Sequence, residues 1–271
     1  MKYSLLALDM DGTLLNSKHQ ISKRTLEAIN KAQDAGKEIV LSTGRCIPEL
    51  REYFSILPRL RYMICVNGAM IYDLKKQTTI YSKPISAKGV AELLSKAHDD
   101  NIMVHFLSTD SVVEKDKVIR MDHYAMGKYQ DMFLNVTTKV DNIFKYFESN
   151  PHSIEKVNYY ITTSHIRNEV EKLIDPDSFS ITHADGNSIE FTAKGISKGA
   201  GLEILCRHLN IPIAETIAAG DSDNDISMLK KAGLPVALLN SNKNVHSVSK
   251  VCVSDCDHDG CAEIIENYLL K

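Results

Sequence analysis

The sequence of 271 residues contains no apolar run near the ~20 residues that a membrane-spanning helix needs. An apolar strand pattern begins almost at once, so we expect no charged and then apolar leader. Lysine and arginine are scattered and do not outnumber the acids, and the formal net charge is -3. These absences predict a cytoplasmic protein with no membrane partner and no nucleic-acid partner.

The cysteines of this sequence do not occur in the closely spaced pairs that are typical of zinc sites. Four potential zinc ligands lie close together without a CxxC pair: Cys252, Cys256, His258 and Cys261. Cys252 alternates with valines in a strand pattern, and Cys261 begins an apolar helical face, so we expect no zinc here. The other cysteines are expected to be reduced and to pack as small apolar residues: Cys46, Cys65 and Cys206.

The clearest positive feature is an apolar run over residues 4–8 that ends on Asp9 and Asp11. A run without alternation is typical of a strand covered on both faces in a parallel sheet. Both acids then lie at the carboxyl end of that strand, where α/β sheets bind ligands, and Gly12 permits a sharp exit. Asp and Gly are also ordinary turn residues, so the motif alone leaves a simple loop open.

Two later segments are suited to an anion. The strand predicted at Glu38–Ser42 runs into Thr43-Gly44-Arg45, where a hydroxyl and a glycine before a helix leave backbone amides pointing outward. Lys198 opens another helix among glycines, although glycine and a lysine at the positive helix end are both locally unfavourable. The alternatives are a threonine cap with a glycine turn, and a solvated surface lysine.

A second strand-then-carboxylate arrangement occurs late in the chain. Residues 216–219 are predicted to form a short buried strand, and Asp221 follows it closely. Asp223 begins the next helix, where the helix dipole favours an acid without any further role. Asp221 repeats the placement of Asp9, so the two loops can meet above one sheet.

Helices and strands alternate through the first 80 residues and again near the end of the chain. This rhythm predicts right-handed crossovers and a doubly wound parallel sheet. Short strands without crossover helices occupy the middle, including one expected at Val118 and Ile119, and Ser164 is expected to cap a helix there. We therefore predict an α/β fold with a Rossmann-like core of residues 1–83 and 188–271. An α+β domain is predicted to be inserted at 84–187, with a hinge at 184–187.

The predicted cluster of acids demands cations. Two unit charges about 4 Å apart repel by ~4 kcal/mol at an effective dielectric of 20. Since the ligands offered are oxygens, Mg²⁺ fits better than zinc. Lys198 supplies a second positive charge, and the combination is suited to a phosphate group.

Together these residues resemble the haloacid dehalogenase superfamily of phosphohydrolases, and within it the Cof-type subfamily with its large inserted cap. Four signatures occur in the order of that superfamily: Asp9-Met10-Asp11-Gly12-Thr13, Ser42-Thr43-Gly44-Arg45, Lys198, and Gly220-Asp221-Ser222-Asp223-Asn224-Asp225. The first and fourth signatures are the specific ones. The resemblance spans nearly the whole chain.

The resemblance implies a role for each residue. Asp9 would be the nucleophile that forms an aspartyl-phosphate, and Asp11 the general acid and base. Mg²⁺ would be held by the side chains of Asp9 and Asp221 and by the main-chain oxygen of Asp11, with Asp225 orienting these ligands. The phosphoryl oxygens would be bound by Thr43, Lys198 and Asn224 and by the amides of Met10 and Gly44. Arg45 would either contact the substrate or brace its loop.

The cap in this family closes over the site and selects the leaving group. Its residues polar enough to contact a substrate are His105, Lys115, Arg120 and His123. The expected partner is a small phosphorylated metabolite, a sugar phosphate or a phosphorylated cofactor, and the sequence points to no particular oligomeric state. Two alternatives stay open: a phosphomutase on the same scaffold, and a non-catalytic sensor of a phosphorylated ligand.

Overall fold

The computed structural model describes residues 2–97, 99–150, 154–183 and 186–271. The chain divides into two compact units. Unit 1 contains Met1–Gly44, Tyr53–Tyr81 and Ser197–Lys271, and unit 2 contains Arg45–Glu52 and Ser82–Ile196. Each unit has its own sheet. No helix in the part of the chain that the structure describes is long and apolar enough to cross a membrane.

The strands in chain order are β1 Leu5–Leu8, β2 Glu38–Ser42, β3 Tyr62–Cys65, β4 Met70–Asp73, β5 Thr78–Ser82, β6 Ile102–Leu107, β7 Ser111–Glu114, β8 Thr138–Val140, β9 Lys156–Ile161, β10 Phe179–Thr182, β11 Ser188–Ala193, β12 Thr216–Gly220, β13 Leu234–Leu238 and β14 Val251–Val253. The α-helices are α1 Lys23–Asp34, α2 Arg51–Phe54, α3 Ala87–Lys96, α4 Lys115–Val118, α5 Gln130–Val136, α6 Ile143–Ser149, α7 Ser164–Lys172, α8 Lys198–Leu209, α9 Ile226–Leu229, α10 Lys243–Val248 and α11 Gly260–Ile264. Short 3₁₀ turns lie at Ile47–Leu50, Val66–Gly68, Met121–Tyr124, Gly127–Tyr129, Ile213–Glu215, Asp223–Asp225 and Cys256–His258, and a π-helical turn at Ile265–Leu269.

Unit 1 is built on an eight-stranded sheet in the order β14-β13-β12-β1-β2-β3-β4-β5. The strands from β14 to β3 are parallel, and β4 runs antiparallel to β3. All four residues of β1 are fully buried, as its unbroken apolar sequence predicted. The chain proceeds from β1 through β2 to β3 on one side, and from β12 through β13 to β14 on the other. This reversal beside β1 is the switch point of a doubly wound fold, so the predicted α/β class is confirmed.

The helix ends of unit 1 follow the capping residues in the sequence. At the start of α1, the Ser22 hydroxyl accepts a hydrogen bond from the Thr25 amide. Just past the end of this helix, Gly36 adopts a left-handed conformation with a φ of +75°. The Ser197 hydroxyl accepts the Ala200 amide at the start of α8 in the same way. Each of these helices therefore begins directly after a serine whose hydroxyl caps it.

Unit 2 is built on a six-stranded sheet in the order β10-β11-β9-β6-β7-β8. Its pairs are antiparallel except for β7 with β8. One face packs its apolar residues against α3, α6 and α7, and the other packs a methionine-rich cluster under α4 and α5. The inserted segment is thus the α+β unit that the short strands predicted.

Residues 188–192 do not return to the core sheet as predicted. They form β11, which pairs antiparallel with β9 and β10 in unit 2. The cause is the alternation of this strand: Ile189 and Phe191 enter the apolar core while Glu190 points to the other face, the pattern of an antiparallel strand. Unit 1 resumes at Ser197. Of the predicted hinge at 184–187, residues 184 and 185 lie outside the described residues.

Two smaller predictions in unit 2 are also wrong. The strand expected at Val118 and Ile119 is the end of helix α4. Val118 is buried with Met121 in one cluster while Ile119 is 69% exposed, because residues three apart share one face of a helix. The cap of α7 is Thr163, whose hydroxyl accepts the Ile166 amide, and not Ser164.

A buried histidine makes the stability of unit 2 sensitive to acid. Burial, aided by the charge of Lys156, lowers the pKa of His105 to about 3, whereas an unfolded histidine titrates near 6.5. Between these two values the unfolded chain binds a proton that the folded chain does not, so stability falls as the pH falls from 6.5 towards 3. The slope from this residue is at most about 1.4 kcal/mol per pH unit. We expect His105→Gln to flatten the dependence of the unfolding free energy on pH between 4 and 7, and an unchanged slope in denaturant titrations would contradict this assignment.

Candidate active site

The acids that follow β1 and β12 meet because these two strands are parallel neighbours. The backbone amide of Asp9 donates to the carbonyl of Ala219 at 3.0 Å, which aligns the two strand ends. Carboxylate oxygens of Asp9, Asp221 and Asp225 lie within 4.8 Å of one another. Within the described ranges, this is the one group of three acidic, histidine or cysteine side chains that lie close enough together to hold a metal ion.

Lys198 lies inside this cluster. Its Nζ donates to Oδ1 of Asp9 at 2.5 Å and to Oδ1 of Asp225 at 2.7 Å, and its side chain is completely buried. Burial lowers the pKa of Lys198, but the charges of Asp225 and Asp9 outweigh it and raise the pKa above its usual range. The lysine therefore remains an ammonium ion, and the alternative of a solvated surface lysine is excluded.

The glycines of α8 explain how a lysine reaches this position. A Cβ on Gly199 would lie 2.2 Å from the carbonyl oxygen of Ser227, and one on Gly201 would lie 2.6 Å from the Ile64 side chain. The first turn of α8 therefore packs directly on the backbone of its neighbours, and Lys198 at the start of that turn is drawn inside.

We expect Gly199→Ala to lower both stability and the phosphohydrolase activity that the resemblance implies, because the contact with the Ser227 carbonyl requires α8 to move. The cost is on the order of 1–3 kcal/mol, as for other overpacked sites. Gly186→Ala is a suitable control, since a Cβ there meets nothing within 4 Å. Denaturant titration and initial rates of both variants provide the measurement, and equal behaviour of the two would refute the packing explanation.

The three acids are not neutralised by the protein. Three carboxylates against one ammonium leave a formal charge of -2. Burial, together with the charges of Asp225 and Asp221, raises the pKa of Asp9 although Lys198 opposes it. Burial and Asp225 likewise raise the pKa of Asp221 to about 6, against the hydrogen bond from Ser222. Raised carboxyl pKa values in a cluster that includes an ammonium ion show that the site would accept a further cation.

Asp225 is occupied by the protein on both oxygens. Oδ1 accepts Lys198, and Oδ2 accepts the backbone amides of Asp221 and Ser222, each at 3.1 Å. A Cβ on Gly220 would lie 2.3 Å from the Asp225 carboxyl carbon, so the loop closes tightly around this side chain. Asp225 thus holds the loop that presents Asp221.

The carboxylate of Asp11 is not among the three clustered acids. Its side chain is 41% exposed, and Oδ1 lies 3.8 Å from Nδ1 of His19. Met10, between the two acids, is fully buried, and its carbonyl accepts the amides of Thr13 and Leu15. The short turn that results separates a buried Asp9 from a partly exposed Asp11.

The remaining predicted phosphate ligands lie on neighbouring loops of unit 1. Thr43 is fixed between β2 and β3, since its amide donates to the Ile64 carbonyl and its carbonyl accepts the Asn67 amide. Gly44 is the next residue. Asn224 has a buried Oδ1 with no hydrogen-bond partner among the residues that the structure describes. Oδ1 can only accept a hydrogen bond, so a contact of Asn224 with a phosphoryl oxygen would use its amide nitrogen Nδ2.

Several supporting residues were missed in the sequence. The hydroxyls of Thr13 and Ser222 donate to the two oxygens of Asp221 at 3.4 and 3.2 Å. Asn240 donates to the carbonyl of Gly12 at 2.7 Å from more than two hundred residues away, and the Cys261 thiol donates to the carbonyl of Thr13. Thr13 and Ser222 lie within the signatures and could have been found there. Asn240 and Cys261 carry no local signal.

The four polar residues proposed for substrate contact in the cap each have a partner within unit 2. His105 is buried against Ser111, and Lys115 pairs with Asp141. Arg120 forms a two-pronged ion pair with Asp100, and the His123 ring lies against Tyr124. Arg45, which begins the shorter segment of unit 2, has Nη1 at 3.9 Å from the Met132 sulfur.

Comparison with known proteins identifies the family of this chain. Residues 6–265 match the model of the haloacid dehalogenase-like hydrolases, so the chain belongs to that family. It is 31% identical to the 5-amino-6-(5-phospho-D-ribitylamino)uracil phosphatase YcsE of Bacillus subtilis, over 98% of this chain and 96% of that protein. It is 25% identical to the pyridoxal phosphate phosphatase YbhA of Escherichia coli, over the full length of both.

The solved structures include a haloacid dehalogenase-like hydrolase from B. subtilis that superposes on this chain with a TM-score of 0.87. Its sequence is 24% identical, and the match covers 98% of this chain and 99% of that one. This likeness shows the fold, and the relatives define the activity. The chain is a phosphatase, a hydrolase of phosphoric monoester bonds.

Proposed function

We propose that this protein hydrolyses small phosphomonoesters through an aspartyl-phosphate on Asp9, with Mg²⁺ as cofactor. The observation that carries the proposal is the position of Asp9. It is a buried carboxylate that Lys198 holds by one oxygen, and it lies beside Asp221 at the switch point of the sheet. A nucleophile needs this combination of fixed orientation and nearby positive charge to approach an anionic phosphate.

In the first step a carboxylate oxygen of Asp9 attacks phosphorus, and the bond from phosphorus to the ester oxygen of the substrate breaks. Lys198 stabilises the charge on the phosphoryl oxygens, together with Thr43 and Asn224 and the amides of Met10 and Gly44. Asp11 donates its proton to the departing alkoxide. Its partial exposure suits a residue that exchanges protons.

In the second step Asp11, now ionised, accepts a proton from water. The resulting hydroxide attacks phosphorus, the bond to Asp9 breaks, and inorganic phosphate is released. Asp9 returns to its carboxylate form and Asp11 to its acid form, so the cycle closes without any other reactant.

The residues present fit Mg²⁺. Asp9 and Asp221, with the main-chain oxygen of Asp11, would hold it, and Asp225 would fix the loop of Asp221. When bound, the ion would neutralise the negative charge of the acids and of the incoming phosphate. All of these ligands are oxygen atoms, which Mg²⁺ prefers, whereas zinc sites most often use the sulfur and nitrogen atoms of cysteine and histidine.

The substrate we infer is a small metabolite that joins a phosphomonoester to a polar ring or sugar. Support comes from the relatives, one of which is named for a phosphoribityl-uracil and another for pyridoxal phosphate. Nothing in the composition favours a macromolecular substrate, since the net charge is -3.

The test is release of inorganic phosphate from p-nitrophenyl phosphate and a panel of phosphorylated metabolites. We expect turnover with Mg²⁺, loss of turnover in EDTA, and recovery when Mg²⁺ is added back. Movement of phosphate within a hexose phosphate, without free phosphate, would indicate a phosphomutase. Binding of phosphate without turnover of any compound would indicate a sensor, and either result would overturn the proposal.

A further inference from the structure

A short segment of unit 2 begins directly after the phosphate loop. Arg45–Glu52 belongs to unit 2, while Gly44 before it and Tyr53 after it belong to unit 1. No sequence pattern indicated this, because the predicted cap began only at residue 84. Some contact must hold the segment in unit 2, one residue beyond a proposed ligand of the phosphate.

The structure assigns that role to Glu49. Its side chain is 4% exposed, and Oε2 accepts the backbone amide of Cys46 at 3.1 Å. Oε1 accepts the hydroxyl of Ser111 on β7 at 3.2 Å, and lies 3.5 Å from Nε2 of His105 on β6. One carboxylate therefore joins the backbone two residues after Gly44 to two strands of the unit 2 sheet.

The hydrogen bonds around Glu49 form a directed chain. Nε2 of His105 lies 2.7 Å from the Ser111 oxygen, and the Ser111 hydroxyl donates to Glu49. Ser111 has one proton to give, so His105 must donate from Nε2 to complete the chain. The ring of His105 is held by Phe133, whose centroid lies 4.9 Å away. Glu49, the acceptor at the end of this series of hydrogen bonds, is therefore held in one position.

A carboxylate is an expensive way to fill buried space, since an apolar side chain would do so without the loss of hydration. Two donors converge on Glu49, the hydroxyl of Ser111 and the backbone amide of Cys46 in the segment itself. We propose that Glu49 is a positioning residue for the phosphate loop: by fixing Cys46 to unit 2, it sets the conformation of Thr43 and Gly44. The inference rests on the proposed function, in which those two residues bind the phosphoryl group.

The experiment compares Glu49→Ala with Glu114→Ala. Glu114 is a second buried glutamate of unit 2, and it accepts the amide of Ile143 and pairs with Lys117 without touching the Arg45–Glu52 segment. Both variants should lose stability. We expect Glu49→Ala alone to raise the inhibition constant of inorganic phosphate and the KM of p-nitrophenyl phosphate, on the order of tenfold, as for a displaced binding group.

Two more variants separate positioning from loss of folding. Glu49→Gln keeps an acceptor for the Cys46 amide and should recover most of the phosphate affinity. Ser111→Ala removes one arm of the contact, should shift the inhibition constant in the same direction, and should not add to Glu49→Ala in the double variant. If Glu49→Ala does not fold, the Ser111→Ala shift decides.

The outcomes are distinct. An unchanged inhibition constant in a folded Glu49→Ala or in Ser111→Ala, or an equal rise in Glu114→Ala, would overturn the role of Glu49 while leaving the phosphatase intact. Absence of phosphate release and of phosphate inhibition in the wild-type protein would overturn the proposed function and this inference together.

Discussion

Replacing Asp9 by asparagine should abolish phosphate release while leaving the fold intact. The change removes the attacking oxygen and one ligand of the proposed metal, and keeps the shape of the side chain. Loss of a nucleophile that acts with its neighbours lowers kcat by roughly 10⁴-fold or more in comparable hydrolases. Stability should not suffer greatly, because one of three mutually repelling acids is neutralised at the same time.

Asp223→Asn is the matched control for this prediction. Asp223 is an acid of the fourth sequence signature. It is exposed, and its carboxylate accepts hydrogen bonds from Asn242 and Asn244. It should keep near wild-type turnover, since the Asp223 carboxylate bonds to these two asparagines and to none of the proposed metal or phosphate ligands among the described residues. The measurement is initial phosphate release with Mg²⁺ and a thermal unfolding curve for each variant. Residual activity above about 1% in Asp9→Asn would contradict its role as nucleophile.

Replacing Lys198 by methionine should have the largest effect on stability. The change leaves Asp9 and Asp225 buried without their shared ammonium, and breaking a buried ion pair from one side costs about 3–5 kcal/mol. Activity should fall as well, since the phosphoryl oxygens lose a positive charge. The destabilisation should shrink in Mg²⁺, because a second cation then compensates the same acids.

Lys231→Met is the control for the lysine variant. Lys231 pairs with Glu203 at 2.5 Å, but both side chains are more than a third exposed, so the loss should stay within about 1 kcal/mol. Denaturant titrations of both variants, with and without Mg²⁺, provide the comparison. Equal losses in the two variants would show that the buried cluster does not depend on Lys198.

The sequence was sufficient for the core because its signals are local. The apolar run of β1 and the acids after it predicted a covered parallel strand, and the structure has that strand, with a cluster of acids at its end that could hold a metal ion. The glycines of α8 marked an unusual helix start, although only the packing on Ser227 explains them. Ser22 and Ser197 cap two helices through hydrogen bonds to residues only three positions further along the chain.

The features that the sequence did not predict depend on contacts between residues that are far apart in the sequence. The sheet to which β11 belongs is decided by its pairing with β9, some thirty residues earlier in the chain. The Arg45–Glu52 segment joins unit 2 through Ser111 and His105, and no pattern within the segment announces these contacts. Asn240 supports the loop of Asp11 through one carbonyl, which local sequence cannot reveal.

The central claim is that Asp9 becomes phosphorylated during turnover, and trapping that species tests it most directly. In Asp11→Asn, p-nitrophenyl phosphate should still react, because p-nitrophenolate leaves without a proton, whereas hydrolysis of the intermediate lacks its base. Mass spectrometry of the quenched variant should find one added phosphoryl group, on the peptide that contains Asp9. A variant that carries no phosphoryl group, or carries it on a residue other than Asp9, would contradict the mechanism.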